Sequence, residues 1–210
     1  MVTLTEGKLA VAIAREVLEH GLERSYDGDL LKEVHPLPLP AVFSEKRGLF
    51  TTLLTYPDKD LRGCIGFPLP LYPLGEGIAR TAWLAAQEDP RFPPVAPPEL
   101  KRIIVEVSVL TPLERLRNTE PLRVLKEVVV GRDGLYLALG TDSGLLLPEV
   151  PVEQGWDTAQ FLDGICAKAG LPKGSWKRKE AALWRFRSEI FLEDSPGGTV
   201  SLRELTPVSG

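Results

Sequence analysis

Residues 60–70, DLRGCIGFPLP, set Cys64 two positions after Arg62, with Gly63 before it and Ile65-Gly66 behind it. In a strand running through this segment, Arg62 and Cys64 share a face about 7 Å apart. A guanidinium beside a thiol favours the thiolate, the form that attacks electrophiles or binds metal. Gly63 and Gly66 weaken a strand, so they imply close backbone approach or a ligand lying against the chain. Exposed N–H groups in a glycine-rich turn can also hold an anion. A plainer reading competes with all of this: free cysteine is among the most buried residue types, and Cys64 would then simply fill core space.

Two other places carry charge where chemistry could use it. EDPRFPPV, residues 88–95, ends a helix with Asp89 and Arg91 on a proline-stiffened loop. That loop either presents Arg91 rigidly or lets Asp89 and Arg91 pair with each other. Glu106 interrupts IIVEVSVL, with Ser108 on its face and the valines opposite. An acid so placed faces water, or, if its face meets the Cys64 hairpin, stands near Cys64 as a base or as the partner of Arg62. His35 is a further candidate, completing a Cys–His dyad with Cys64. His20 suits a helix end, and Cys166 lies on the apolar face of a helix, where packing explains it.

The elements that would position these groups follow from periodicity. Thr3 and Glu6 form a capping box. Leu9, Ile13 and Val17 beside Ala10, Ala14 and Leu18 give an amphipathic helix that Gly21 is expected to close. GLFTTLLTYPDKDLRGCIG predicts a β-hairpin turned by YPDKD. An alanine-rich helix runs from Leu74 to Glu88, stopped by Pro90. RIIVEVSVL is a strand with Ile103, Val105, Val107 and Val109 on one side. EVVVGRDGLYLAL predicts a second hairpin around Gly131–Gly134, and GTDSG leads to the strand LLLP. Asp157 and Gln160 cap a helix with Phe161, Leu162, Ile165 and Cys166 inward. ALWRFRSEIF reads as one strand with Trp184, Phe186 and Ile190 on one side, followed from Asp194 by a loosely held tail. This order predicts an α+β fold, a mainly antiparallel sheet flanked by helices. One domain is expected over residues 1–193, with a smaller subdomain after the first helix or around residues 113–125, and a tail over 194–210.

Bulk properties narrow the function classes. The chain has 210 residues, 43% hydrophobic and 26% charged, enough to bury a sizeable core. A net charge of -4 gives no global pull towards nucleic acid or acidic membrane. No apolar run reaches membrane-span length, and the charged first helix is no signal peptide. Two cysteines without a disulfide framework predict a reducing cytoplasm. The 19 prolines cluster in residues 36–40, 68–73 and 90–98 as stiff connections. H-E-x-x-H, C-x-x-C, P-loop, G-x-S-x-G and G-x-G-x-x-G patterns are all missing, so no cofactor is named and no metal site is expected. KGSWKRKEAALWRFR, residues 173–187, has six basic residues and one acid among aromatics, a pattern that can stack on RNA. Strand alternation there nonetheless sends the aromatics inward.

LRGCIG, residues 61–66, resembles the signature hexapeptide of the AMMECR1 family, also called protein A of the AmmeMemoRadiSam system. RGLFTTL, DPRFPPV, VEVSVLTP, GRDGLYL, SGLLLPEV, FLDGICAKAGL and RFRSEIF resemble further blocks in order. The resemblance implies a larger and a smaller subdomain with a cleft near the signature, and partnership with a radical SAM protein and a Memo-like protein, with RNA modification as a suggested setting. Carried over by position, the surface is Arg62, Gly63, Cys64, Ile65 and Gly66, with Asp89, Arg91 and Glu106 as neighbours. Phe67 departs from relatives that often carry a polar residue or tyrosine there. Two readings come first: a binding module docking on such a partner, and a cysteine-dependent enzyme acting on a small metabolite or nucleotide. In the enzyme, Cys64 would be the thiolate, Arg62 the anion binder and Glu106 the proton carrier. RNA binding through residues 173–187 is the third.

Overall fold

A computed structural model describes residues 1–23, 38–117 and 120–203. The fold is α+β and divides into two compact units, Met1–Leu110 with Glu189–Arg203, and Thr111–Ser188. In the first unit α1 (Leu4–Glu23) begins at the expected capping box. The Thr3 N–H donates to Glu6 Oε2 at 2.7 Å and the Glu6 N–H donates to Thr3 Oγ1 at 3.3 Å. Gly21 does not end the helix as expected. It is buried one turn inside, and α1 continues to Glu23.

The five-stranded sheet has the order β2-β1-β3-β8-β9. Its strands are β1 (Leu49–Thr55), β2 (Leu61–Phe67), β3 (Ile103–Leu110), β8 (Ser188–Glu193) and β9 (Val200–Arg203). α1 and α2 (Leu74–Gln87) bury their apolar stripes, including Ile13, Val17, Ile78 and Ala82, against Leu49, Leu53, Val105 and Val107. Two helix glycines allow this approach, which a Cβ would block. Built on Gly77, a Cβ would lie 2.6 Å from the Leu49 side chain, and on Gly7 it would lie 2.0 Å from the Phe191 ring. The opposite sheet face carries Phe50, Thr52, Cys64, Glu106 and Ser108.

The second unit holds a four-stranded sheet, β4-β7-β5-β6. These are β4 (Glu114–Arg115), β5 (Gly134–Leu139), β6 (Asp142–Leu146) and β7 (Ala182–Phe186). Around it lie α3 (Pro121–Glu127), α4 (Glu149–Glu153) and α5 (Thr158–Lys168), whose Asp157–Gln160 cap is the expected one. Phe161, Leu162, Ile165 and Cys166 join Leu135, Leu137 and Leu183 in its core.

Three further expectations change. EVVV is not a strand. Glu127 ends α3, and the Asp133 carboxylate holds a turn by accepting the Val129 N–H at 2.9 Å, so the hairpin is β5–β6, one element later. ALWRFRSEIF is two strands in two sheets, separated at Arg187. Of the tail expected from Asp194, the described residues 194–203 turn and return as β9, paired with β8 from Ile190↔Arg203 to Glu193↔Val200, rather than hanging loose.

Candidate functional site

The signature LRGCIG is strand β2, at the edge of the sheet beside β1. Register sets Cys64 opposite Thr52, and Thr52 opposite Glu106 on β3. Three adjacent strands therefore place Cys64, Thr52 and Glu106 in one row on the face turned from the helices. Both polar groups of the Cys64 peptide point outward from the sheet edge, so Cys64 and Thr52 form the closer, non-hydrogen-bonded type of antiparallel pair. Thr52 Oγ1 accordingly donates to Cys64 Sγ at 3.4 Å.

The glycines of the signature serve close approach within the chain. A Cβ on Gly63 would lie 2.1 Å from the Ala85 carbonyl of α2, and one on Gly66 2.1 Å from the Phe50 ring. Ile65 faces inward and packs on the core. Gly63 and Ile65 thus seat β2 on the helix, and Phe50 covers Gly66.

The exposed edge of β2 is closed by the loop after α2. Asp89, 4% exposed, accepts the Cys64 N–H at 2.8 Å, and Arg91 Nη2 donates to the Cys64 carbonyl at 3.0 Å. A carboxylate and a guanidinium so occupy the positions a sixth strand would fill. Asp89 also accepts the Arg91 N–H at 3.1 Å, Nε at 2.9 Å and Nη2 at 2.6 Å. The Arg91 guanidinium, with the Cys64 and Arg91 N–H groups, holds the Asp89 carboxyl well below the usual carboxylate range. Both alternatives for this loop hold together: Asp89 and Arg91 pair, and the pairing presents Arg91 rigidly with half its side chain exposed.

Arg62 is not beside the thiol. The β1–β2 register passes from Leu53↔Gly63 to Leu54↔Leu61 and skips Arg62, an irregularity that breaks the alternation. Its guanidinium bonds Glu99 through Nε at 3.0 Å and the Pro93 carbonyl through Nη1 at 3.0 Å. Arg62 therefore braces the 89–99 loop. Glu99 further accepts the Ala96 N–H at 2.8 Å. The Phe92 ring is within reach of both arginines, its centroid 6.0 Å from Arg62 Cζ and 5.6 Å from Arg91 Cζ.

Cys64 is half-buried and free. Burial pushes its thiol above the ordinary range, against the pull of Thr52 and Arg91, while Glu106 and Asp89 push the same way as burial. The depressed thiol expected of a nucleophile is not what this environment produces. Glu106, 7% exposed, does share the Cys64 face, yet its ion partner is Arg203 of β9, Nη1 to Oε2 at 3.0 Å. Burial drives the Glu106 carboxyl upward, with Arg203 and Lys59 opposing. Arg203 and Thr52 are the members of the site that the sequence reading missed. Hairpin register could have placed Thr52 beside Cys64, whereas nothing local marks Arg203.

His20 Nδ1 lies 3.0 Å from the Glu16 carbonyl, a helix-end contact, and His35 lies outside the described residues. Among the described residues no cluster of His, Cys, Asp and Glu could hold a metal ion. No helix among them is long and apolar enough to cross a membrane. In residues 173–187, Arg185 pairs with Glu114 at 2.8 Å, Arg178 with Glu180 at 3.6 Å, and Lys177 sits over Trp176. Phe186 is buried, and Trp184 packs on Tyr136.

A model of the AMMECR1 family matches residues 11–191, nearly the whole of this arrangement. The chain belongs to the AMMECR1 family. A Methanocaldococcus jannaschii protein is 46% identical over 205 residues, covering 98% of both chains. A Methanopyrus kandleri protein is 44% identical over 204 residues, covering 97% of this chain and 96% of its own. Among solved structures, the crystal structure of an uncharacterized protein from Pyrococcus horikoshii matches with a TM-score of 0.77 at 42% identity, covering 95% of this chain and 97% of that one. For this AMMECR1 member the signature hexapeptide is thus an edge strand, clipped at its cysteine by the DPRF loop.

Proposed function

We propose that the chain is a docking module of a reducing cytoplasm. Its working face is the β2 edge with the 89–99 loop, presented to a radical SAM or Memo-like protein in the RNA-modification setting that the family resemblance implies. One observation carries this reading. Asp89 and Arg91 are fixed on the Cys64 peptide, so a half-exposed guanidinium is held in one place, while burial pushes the thiol of the same residue above its ordinary range. Preorganised charge of this kind serves recognition, because little side-chain freedom is left to lose on binding. Exposed apolar groups, Leu61 on β2 and Leu69 and Leu71 in the segment that follows it, add surface that a partner can cover.

The test is capture of purified radical SAM and Memo-like proteins from the same cell by the full chain. Wild type and Cys64→Ser are expected to capture one of them, and Arg91→Ala to lose it. Undiminished capture by Arg91→Ala, or its loss with Cys64→Ser, overturns the reading.

The Cys64–Thr52–Glu106 row favours a second reading, a cysteine-dependent enzyme in which Cys64 is the thiolate and Glu106 carries protons. That reading requires fast alkylation of Cys64 in the native protein near neutral pH. RNA binding by residues 173–187 has less support, because Arg178, Arg185 and Lys177 already have intramolecular partners.

A further inference from the structure

Glu106 occupies an uncommon position for a carboxylate. It lies on central strand β3, its side chain is 9% exposed, and the cation paired with it comes from the last strand of the sheet. Burying a carboxylate is unfavourable unless a counter-charge and hydrogen bonds replace its water. Here that counter-charge stands on an outer strand of the sheet, half in solvent. β9 has four residues and pairs with β8, Leu202 is 49% exposed, and the Arg203 side chain is 48% exposed. The ion pair is therefore dry at the acid and open to solvent at the guanidinium.

We propose that Arg203 stands in for a ligand: a guanidinium- or ammonium-bearing molecule displaces it, pairs with Glu106, and lies along the row formed by Thr52 and Cys64. The proposal goes beyond the docking reading: it concerns the sheet face beside the β2 edge, where Cys64, Thr52 and Glu106 stand in a row, and names the chemistry that this face recognises. The charged and polar groups around Glu106 fit it. Arg203 approaches from β9 and Lys59 from the β1–β2 turn, while Thr52 and Cys64 stand beside it on the neighbouring strands. Even with both cations, burial still drives the carboxyl upward, so a cation that fits the acid better gains from pairing with it. β9 then acts as a built-in competitor, and its release reports that the ligand has bound.

The probe is L-argininamide, with L-citrullinamide as the uncharged control of the same shape. Arg203→Ala is expected to bind argininamide at least ~10-fold more tightly than wild type by calorimetry, and citrullinamide not at all. The double variant Glu106→Gln/Arg203→Ala is expected to lose that gain. In the unmutated chain, argininamide is expected to speed hydrogen exchange of the amides in residues 200–203, a readout that needs no altered protein. Equal affinity of Arg203→Ala and wild type, a gain that survives Glu106→Gln, or β9 exchange unchanged at saturating argininamide each overturns the proposal. Partner capture that needs Arg91 and ignores Glu106→Gln would leave the docking reading standing and remove this one alone.

Discussion

Asp89 accepts four N–H donors, three of them from Arg91 and one from the Cys64 peptide. Asparagine can keep the shape but not the charge, and its NH2 must then face a donor. Asp89→Asn is therefore expected to cost about 2–3 kcal/mol, the range for hydrogen bonds to a charged group together with a stranded donor. Urea unfolding at pH 7 measures it. The pH dependence has a definite sign. Because folding lowers the Asp89 pKa, its stabilisation is complete above the unfolded value of about 4 and is lost as pH falls towards the folded one. The gap between wild type and Asp89→Asn should thus be constant from pH 8 to 5 and shrink below pH 4. Cys64 gives the opposite kind of prediction. With its thiol pushed above the ordinary range, iodoacetamide should modify native Cys64 slowly at pH 7, the rate rising past pH ~8.5, where a free cysteine is half ionised. A plateau already reached at pH 7 would favour the enzyme reading. Residue types in the sequence pointed to these groups and to the Asp89–Arg91 pair, but not to the Cys64 peptide that this pair clips. Arg62 beside Cys64 was a sound inference from strand alternation, and a single skipped register position redirected it to Glu99.

The elements make the site through close packing, and Gly63 is where that packing is tightest. A methyl group there would lie 2.1 Å from the Ala85 carbonyl, a backbone atom that cannot swing aside. Gly63→Ala must push α2 from β2, and is expected to cost about 3 kcal/mol, the upper part of the usual overpacking range, measured by thermal melting. Because Asp89 follows α2, the same variant should loosen the clip on Cys64 and accelerate its alkylation. How far the elements could be read in advance depended on how local their causes are. α1 and α5 were legible because capping boxes and apolar periodicity act within a few residues. The Val128–Val130 run looked like a strand because β-branched residues favour one, but the Asp133 carboxylate holds its backbone in a turn. ALWRFRSEIF misled because its period reports which face a residue takes and not which sheet. The buried residues Leu183, Phe186, Ile190 and Phe191 depart from strict alternation where the chain changes sheets.

At the scale of the whole chain, the first unit is discontinuous in sequence, and residues 111–188 form an insertion within it. The insertion begins and ends at one point. The Thr111 N–H donates to the Arg187 carbonyl at 2.9 Å, and the Arg187 N–H donates back to Thr111 Oγ1 at 2.9 Å. It also has its own apolar core around Leu135, Phe161, Ile165 and Leu183. Ends this close can be joined by a turn of two to five residues, whose closure costs little entropy compared with a long loop. Replacing residues 111–188 by a short Gly/Ser linker should therefore leave the five-stranded sheet, the Asp89 clip and the Arg203–Glu106 pair in place. The shortened chain is expected to unfold in one cooperative transition, to alkylate Cys64 at the wild-type rate, and to keep any partner capture that depends on Arg91. Residues 111–188 alone are expected to give dispersed amide spectra. By contrast, truncation after residue 188 removes β8 and β9, exposes the central strand β3, and takes away both Glu193, which pairs with Arg15 of α1, and Arg203. That truncation should abolish folding of the first unit, because Phe191 and the Arg15–Glu193 pair, which anchor α1 to the sheet, come from the segment that follows the insertion.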